Sequence, residues 1–223
     1  MTRMFPAGAK DLNLWKLRLG RVPESVWEDT ELETLVLAEN DLTEVPESIG
    51  CLQRLRVLDL GHNALTSVPE SIGDLESLSE FLYLHDNRLT SLPVSLGRLK
   101  RLRYLNISGN AFVELPECLC AMHGLLELRA SDNPLGRIPE SIRQLRLLRE
   151  LHLRNTKITA VPDAIGGLLD LRHIDLRGTP LRFLPVALGT LPRLEKLDLR
   201  WVTELEPPAW LADLESRGCL VYR

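Results

Sequence analysis

"LRVLDLGHNALTSVPESIGDL", residues 55–75, changes rhythm halfway along. Around Leu58 and Leu60 the apolar residues alternate, the period of a strand with one buried face. Past Pro69 their spacing widens to three and four, which suits a short helix or 3-10 turn. One strand and one short turn cannot cover each other's apolar sides, so the stretch needs neighbours built like itself. The chain supplies them. Proline recurs at Pro23, Pro46, Pro69, Pro93, Pro116, Pro139, Pro162, Pro185 and Pro208, always 23 residues apart except for one step of 24.

Aligned on those prolines, each unit reads L-x-x-L-x-L-x-x-N-x-L-x-x-(L/V/I)-P-x-x-(I/L/V)-x-x-L, and the pattern runs from about Asp11 to about Leu205. It resembles a leucine-rich repeat of the 23-residue Pro-x-x-Ile class found in Ras-suppressor-like and Scribble-like scaffolds, plant intracellular Ras-group repeats and bacterial proteins. The resemblance implies an α/β leucine-rich repeat solenoid, or horseshoe, with a concave parallel sheet of about nine to ten strands and short helices or 3-10 turns on the convex side. The residues support the same reading. Leu35 and Leu37, Leu58 and Leu60, Leu82 and Leu84, Leu105 and Ile107, Leu151 and Leu153, and Ile174 and Leu176 are strand cores that stack at about 4.8 Å into one leucine interior. Asn40, Asn63, Asn87, Asn110 and Asn133 form a column where the chain leaves each strand, and an inward amide there can bond backbone groups that would otherwise be buried and unpaired. Thr156 and Thr179 put a hydroxyl in that column, while Leu17 and Val202 offer nothing.

The chain reads as a single domain, 1–223. Residues 1–31 are expected to be a capping region with a degenerate first repeat, 32–207 regular repeats, and 208–223 a C-terminal cap of helix plus edge strand.

Composition narrows the partners. With 223 residues, 44% hydrophobic and 26% charged, this is a soluble globular composition, and a net charge of −4 removes the broad cationic surface that nucleic acid or an anionic membrane demands. No run approaches the roughly 20 apolar residues of a membrane span, and "MTRMFPAGAKDL" lacks the apolar centre of a signal peptide. A cytoplasmic monomer is expected. Lysine is sparse beside arginine, which leans toward a bacterial source, with delivery into a host cell left open. Cys51, Cys118, Cys120 and Cys219 follow no zinc-site spacing and read as free thiols.

Function is to be sought in the residues before, between and after the strand-core positions, which folding leaves free. Two groups stand out. Phe81, Tyr83 and Tyr104, with His85 beside them, fall on neighbouring strands; they are either interface anchors or cross-strand pairs packed on one another. Arg129, Arg154, Arg177 and Arg200 form a row interleaved with Glu150, Asp175 and Asp198; they are either forks for a partner's carboxylates or phosphates, or an exposed charge ladder. Up to Ala111 acids outnumber bases 16 to 12, and after it they balance at 15 each, so an acidic partner is expected on the second half. His152 and His173 sit on adjacent strands and His62 lies near His85, but no carboxylate or cysteine is expected to complete a ligand set, so no metal or cofactor is assigned.

The step of 24 places one extra residue between Leu78 and Leu82, either as a strand bulge that re-aims Phe81 or as an insertion in the connection. No catalytic motif is present: no phosphate loop, nucleophile elbow or H-E-x-x-H. The expectation is a non-enzymatic protein-binding module, scaffold or adaptor, with Phe81, Tyr83, His85, Tyr104, Arg129, His152, Arg154, His173, Arg177 and Arg200 as partner contacts. A small GTPase or kinase partner follows from the resemblance alone. The alternatives are an inhibitor that occludes an enzyme or small GTPase, and the recognition part of a bacterial effector.

Overall fold

The computed structural model describes residues 8–223. Ten three-residue strands form one parallel sheet in chain order: β1 (Asp11–Asn13), β2 (Thr34–Val36), β3 (Val57–Asp59), β4 (Phe81–Tyr83), β5 (Tyr104–Asn106), β6 (Glu127–Arg129), β7 (Glu150–His152), β8 (His173–Asp175), β9 (Lys196–Asp198) and β10 (Leu220–Tyr222). From β1 to β9 the middle residue is a buried leucine or isoleucine and its neighbours face the other way. Period-two alternation is thus realised with one face in the core and one left open.

Each of Pro23, Pro46, Pro69, Pro93, Pro116, Pro139, Pro162 and Pro185 is followed directly by a helical turn. Three are α-helical, α1 (Glu24–Trp27), α2 (Glu117–Cys120) and α3 (Val186–Gly189), and five are 3-10. Proline fits because it has no N–H to satisfy while its carbonyl accepts the first bond of the turn, as Pro46 O does from Ile49 N at 3.1 Å. The turn is also tied to the next unit: the Glu47 carboxylate accepts the Ser71 amide at 2.9 Å. Between turns and sheet runs an unbroken aliphatic core with Phe112 as its one phenylalanine. Truncating one such leucine to alanine costs about 2–5 kcal/mol. After β9 a longer helix, α4 (Trp210–Ser216), buries Leu211 and Leu214, ends at Gly218 with φ 91°, and delivers β10 to pair with β9.

The asparagine column works as its chemistry requires. Asn110 Nδ2 donates to the carbonyls of Leu84, Ile107 and Ser108 at 2.9–3.2 Å, and its Oδ1 accepts the Leu89 amide at 2.9 Å. Thr156 and Thr179 each donate one bond, to Leu153 O and Leu176 O. Asn40 reaches back to accept the Leu17 backbone amide in the first unit, where the Leu17 side chain has no polar group with which to close the turn.

Immediately before that column lies another that the sequence does not announce. Lys16, Glu39, His62, Asp86, Asp132, Asn155 and Trp201 have φ of 51–63°, with Gly109 and Gly178 in the equivalent places at 64°. A non-glycine residue there costs about 1–2 kcal/mol, a strain held by the bonded turn that follows. Because the units stack, side chains in this column meet across units: Lys16 pairs with Glu39 at 2.9 Å, and Asn155 donates to Asp132 at 2.8 Å.

The extra residue lies in the connection. β3 and β4 pair without interruption, Val57 opposite Phe81 and Asp59 opposite Tyr83, so there is no bulge in the strand. Ordinary units send two successive amides to one carbonyl, as Leu126 N and Glu127 N do to Arg103 O. At β5, Arg103 N takes Ser79 O and Tyr104 N takes Glu80 O. The Ser79–Glu80 step absorbs the insertion, and Phe81 keeps the direction of its column.

Candidate functional site

On the open face, β4 and β5 bring the aromatic residues into one cluster. The Phe81 and Tyr83 rings stack at 5.9 Å with an interplanar angle of 9°. Tyr104 closes against both, at 5.5 Å from Phe81 and 5.1 Å from Tyr83. The Arg129 guanidinium lies over the Tyr104 ring at 5.7 Å and bonds Glu127 at 2.5 Å, extending the cluster onto β6. The rings do pack on one another, in pairs worth about 0.5–1.5 kcal/mol beyond their buried area. They also remain in contact with water, since Phe81 is 39% exposed and Tyr83 and Tyr104 are half-buried. Burial pushes the Tyr104 phenol up to about 12 and raises that of Tyr83 as well.

His85 borders the cluster, 5.9 Å from the Tyr83 ring and edge-on to His62 at 4.8 Å. Its ring lies over Gly61, where an added Cβ would fall 2.3 Å from Cε1. Burial, then the neighbouring His62, holds its pKa below the ordinary histidine value. His62 Nδ1 is 3.4 Å from Asp86 Oδ2. The expectation that no carboxylate accompanies the histidines is therefore corrected. Asp86 joins His62 and His85, and Glu127 and Glu150 join His152, each trio with donor atoms within 4.8 Å of one another. Sequence reading missed Asp86 because it sits past the strand, in the left-handed column that turns it toward His62.

His152 and His173 lie further along, among acids. His152 Nε2 is 3.2 Å from Glu150 and 3.7 Å from Glu127, and His173 lies between Glu150 at 3.6 Å and Glu195 at 3.7 Å.

The arginine row is on the same face but differently committed. Arg177 grips Asp175 through Nε at 2.8 Å and Nη2 at 2.6 Å, and Arg200 grips Asp198 through the same atoms at 2.9 and 2.7 Å. Arg177 Nε also stands 3.6 Å from Asp198, which is 1% exposed. Burial alone would raise the Asp198 carboxyl, but hydrogen bonds from Arg200 and the two guanidinium charges outweigh it and hold its pKa below the ordinary value. Arg154 bonds Asp132 at 3.0 Å. Each planar fork thus already holds a carboxylate of this chain. The signal was present in the sequence: "DLR" at 175–177 and 198–200 sets acid and arginine two apart, hence on one side of a strand.

The thiols are unpaired, with Cys120 and Cys219 buried and Cys51 exposed; burial pushes Cys118 up to about 11, far from a reactive thiolate. Among the described residues, no helix is long and apolar enough to cross a membrane.

Comparison with known proteins adds to this geometry. A family model described as "Leucine rich repeat" matches residues 30–89, 80–135 and 139–201. No curated protein sequence matches the chain. Among solved structures, the chain is similar to the leucine-rich repeat protein LIC12759 of Leptospira interrogans, at 26% identity and TM-score 0.71 over 94% of this chain and 65% of that one. It is similar to the plant peptide hormone receptor RGFR1, solved in complex with RGF2, at 30% identity and TM-score 0.78 over 92% of this chain and 34% of the receptor. It is also similar to the ectodomain of the receptor kinase GASSHO1/SCHENGEN3 of Arabidopsis thaliana, solved in complex with CASPARIAN STRIP INTEGRITY FACTOR 2, at 32% identity and TM-score 0.77 over 92% of this chain and 26% of that one. The chain thus spans less than two thirds of each of these proteins.

Proposed function

The chain belongs to the leucine-rich repeat family, and on that premise we propose that it is a non-enzymatic binding module whose open sheet face receives a protein partner. The observation that carries this reading is the cluster of Phe81, Tyr83 and Tyr104, three contiguous rings held rigid by mutual packing yet still facing water. Such a patch binds by covering area that is already ordered, so little conformational entropy is lost on docking. Tyrosine is among the residues that most often dominate an interface. The two receptors above were solved in complex with their partners, which supports a protein partner for a chain of this family.

His85 and Arg129 flank the rings and set the polar margin of the contact. Arg154, Arg177 and Arg200, with His152 and His173, form a secondary surface whose charges are internally balanced. We place the protein in the cytoplasm as a monomeric scaffold or adaptor. A small GTPase or kinase is the partner class suggested by analogy with the Ras-group repeats.

Affinity capture with the wild type and the Tyr83→Ser/Tyr104→Ser double variant tests the reading. About 2 kcal/mol for each of the two anchors predicts roughly a thousandfold loss of affinity. The partner should be retained by wild type at raised salt and absent from the variant. Equal capture by both proteins would remove the aromatic site.

A further inference from the structure

Next to the rings, at the rim of the sheet, three groups with metal-binding chemistry converge, and among the described residues no lysine or arginine pairs with the carboxylate. We propose that His62, His85 and Asp86 form a binding site for a divalent ion of the zinc class, with the remaining coordination position open to solvent. Two imidazoles and a carboxylate are a donor set that zinc accepts, and three protein ligands with one open place make a four-coordinate centre.

Distances support the assignment. Donors about 2.0–2.1 Å from a tetrahedral zinc stand about 3.4 Å from each other, and His62 Nδ1 is 3.4 Å from Asp86 Oδ2. All three ligand atoms lie within 4.8 Å of one another, so only small rotations of the exposed His62 and Asp86 and the half-buried His85 separate this arrangement from a closed one.

The surroundings fit as well. Two glycines make the space: an added Cβ on Gly61 would fall within 3 Å of three atoms of the His85 ring, and one on Gly109 would fall 2.1 Å from Asp86 Oδ1. His85 Nδ1 is buried and has no hydrogen-bond partner among the described residues, an orphaned group of the kind a bound ion would explain. The second trio, Glu127, Glu150 and His152, lacks this freedom. Arg129 already holds Glu127, and Glu150 is shared by His152 and His173.

The test is zinc titration by calorimetry on protein without a histidine tag and with Cys51→Ser removing the exposed thiol. Cobalt(II) serves as a second probe, read through its tetrahedral visible bands. One ion per chain is expected. Asp86→Asn keeps a residue tolerant of the left-handed backbone, and His85→Ala removes an imidazole; each is expected to weaken binding about tenfold or more. Gly61→Ala, at a position whose φ is ordinary, should displace the His85 ring and weaken binding likewise while the far-ultraviolet spectrum stays unchanged. His152→Ala should leave binding as it was. Absence of zinc binding, binding that survives Asp86→Asn and Gly61→Ala, or binding lost only with His152→Ala would overturn the assignment. The ion is measured on the protein alone, so this result and the partner experiment fail or succeed separately.

Discussion

The two halves of the sheet use one backbone for different ends. On β4 and β5 the open face carries rings packed chiefly on one another, and the turns after β3, β4 and β5 are each closed by an asparagine with several bonds. Along β8 and β9 the same face carries arginines locked onto aspartates two residues away, and the turns after β7 and β8 are closed by threonines with one side-chain bond each. A solenoid needs the same aliphatic columns throughout, and those columns are present in both halves. What differs is how much binding capacity each stretch has already used on itself. The rings keep an exposed apolar surface, whereas the arginine forks are filled, and this is why the aromatic half is the better candidate for a partner.

The turn column offers the largest contrast in stability. Asn110→Ala removes four hydrogen bonds from a buried turn and orphans the Leu89 amide, although the Leu84, Ile107 and Ser108 carbonyls each keep one other donor, and is expected to cost about 3 kcal/mol. Thr156→Ala removes one bond and should cost about 1 kcal/mol. Chemical denaturation of both variants checks the ratio, and equal losses would mean that the two halves do not differ in how their turns are held.

The ion pairs give the next effect. Asp198→Ala is expected to destabilise by about 2 kcal/mol, because two guanidinium groups lose a buried carboxylate. The sign with pH follows from the lowered carboxyl. Its contribution is complete above the unfolded value near about pH 4 and is lost as pH falls through the lower folded value. Unfolding measured at a series of acidic pH values should show this loss in wild type and lack it in Asp198→Asn.

The smallest effect is spectroscopic and belongs to the aromatic half. In an ultraviolet titration one phenol should persist un-ionised to about pH 12, and Tyr104→Phe should abolish that last step. A cluster that water penetrates freely would instead ionise without a late phase.

The strands were fully legible in the sequence, because a three-residue strand whose centre is a buried leucine has few ways to be misread once the 23-residue period is found. The asparagine turns were legible for a similar reason, since an inward amide in a repeated position has little else to bond. The site was legible only in part. Phe81, Tyr83 and Tyr104 were placed side by side by register alone. The commitment of Arg177 and Arg200 to their own aspartates depends on side-chain rotamers, and the pattern left both roles open. Asp86 stayed hidden because seven of the nine left-handed positions carry no glycine to mark them. The role of Gly61 stayed hidden as well, because the space it leaves shows only when the His85 ring is seen lying across it.

The central claim, that the rings on β4 and β5 are where a partner docks, is tested most directly by site-specific photo-cross-linking. A photoreactive phenylalanine analogue in place of Phe81 on the open face, or of the exposed Phe183 outside the ten strands, samples two separate places on the molecule. The account predicts one partner adduct from position 81 and none from position 183. An adduct from position 183 with none from position 81 would contradict it.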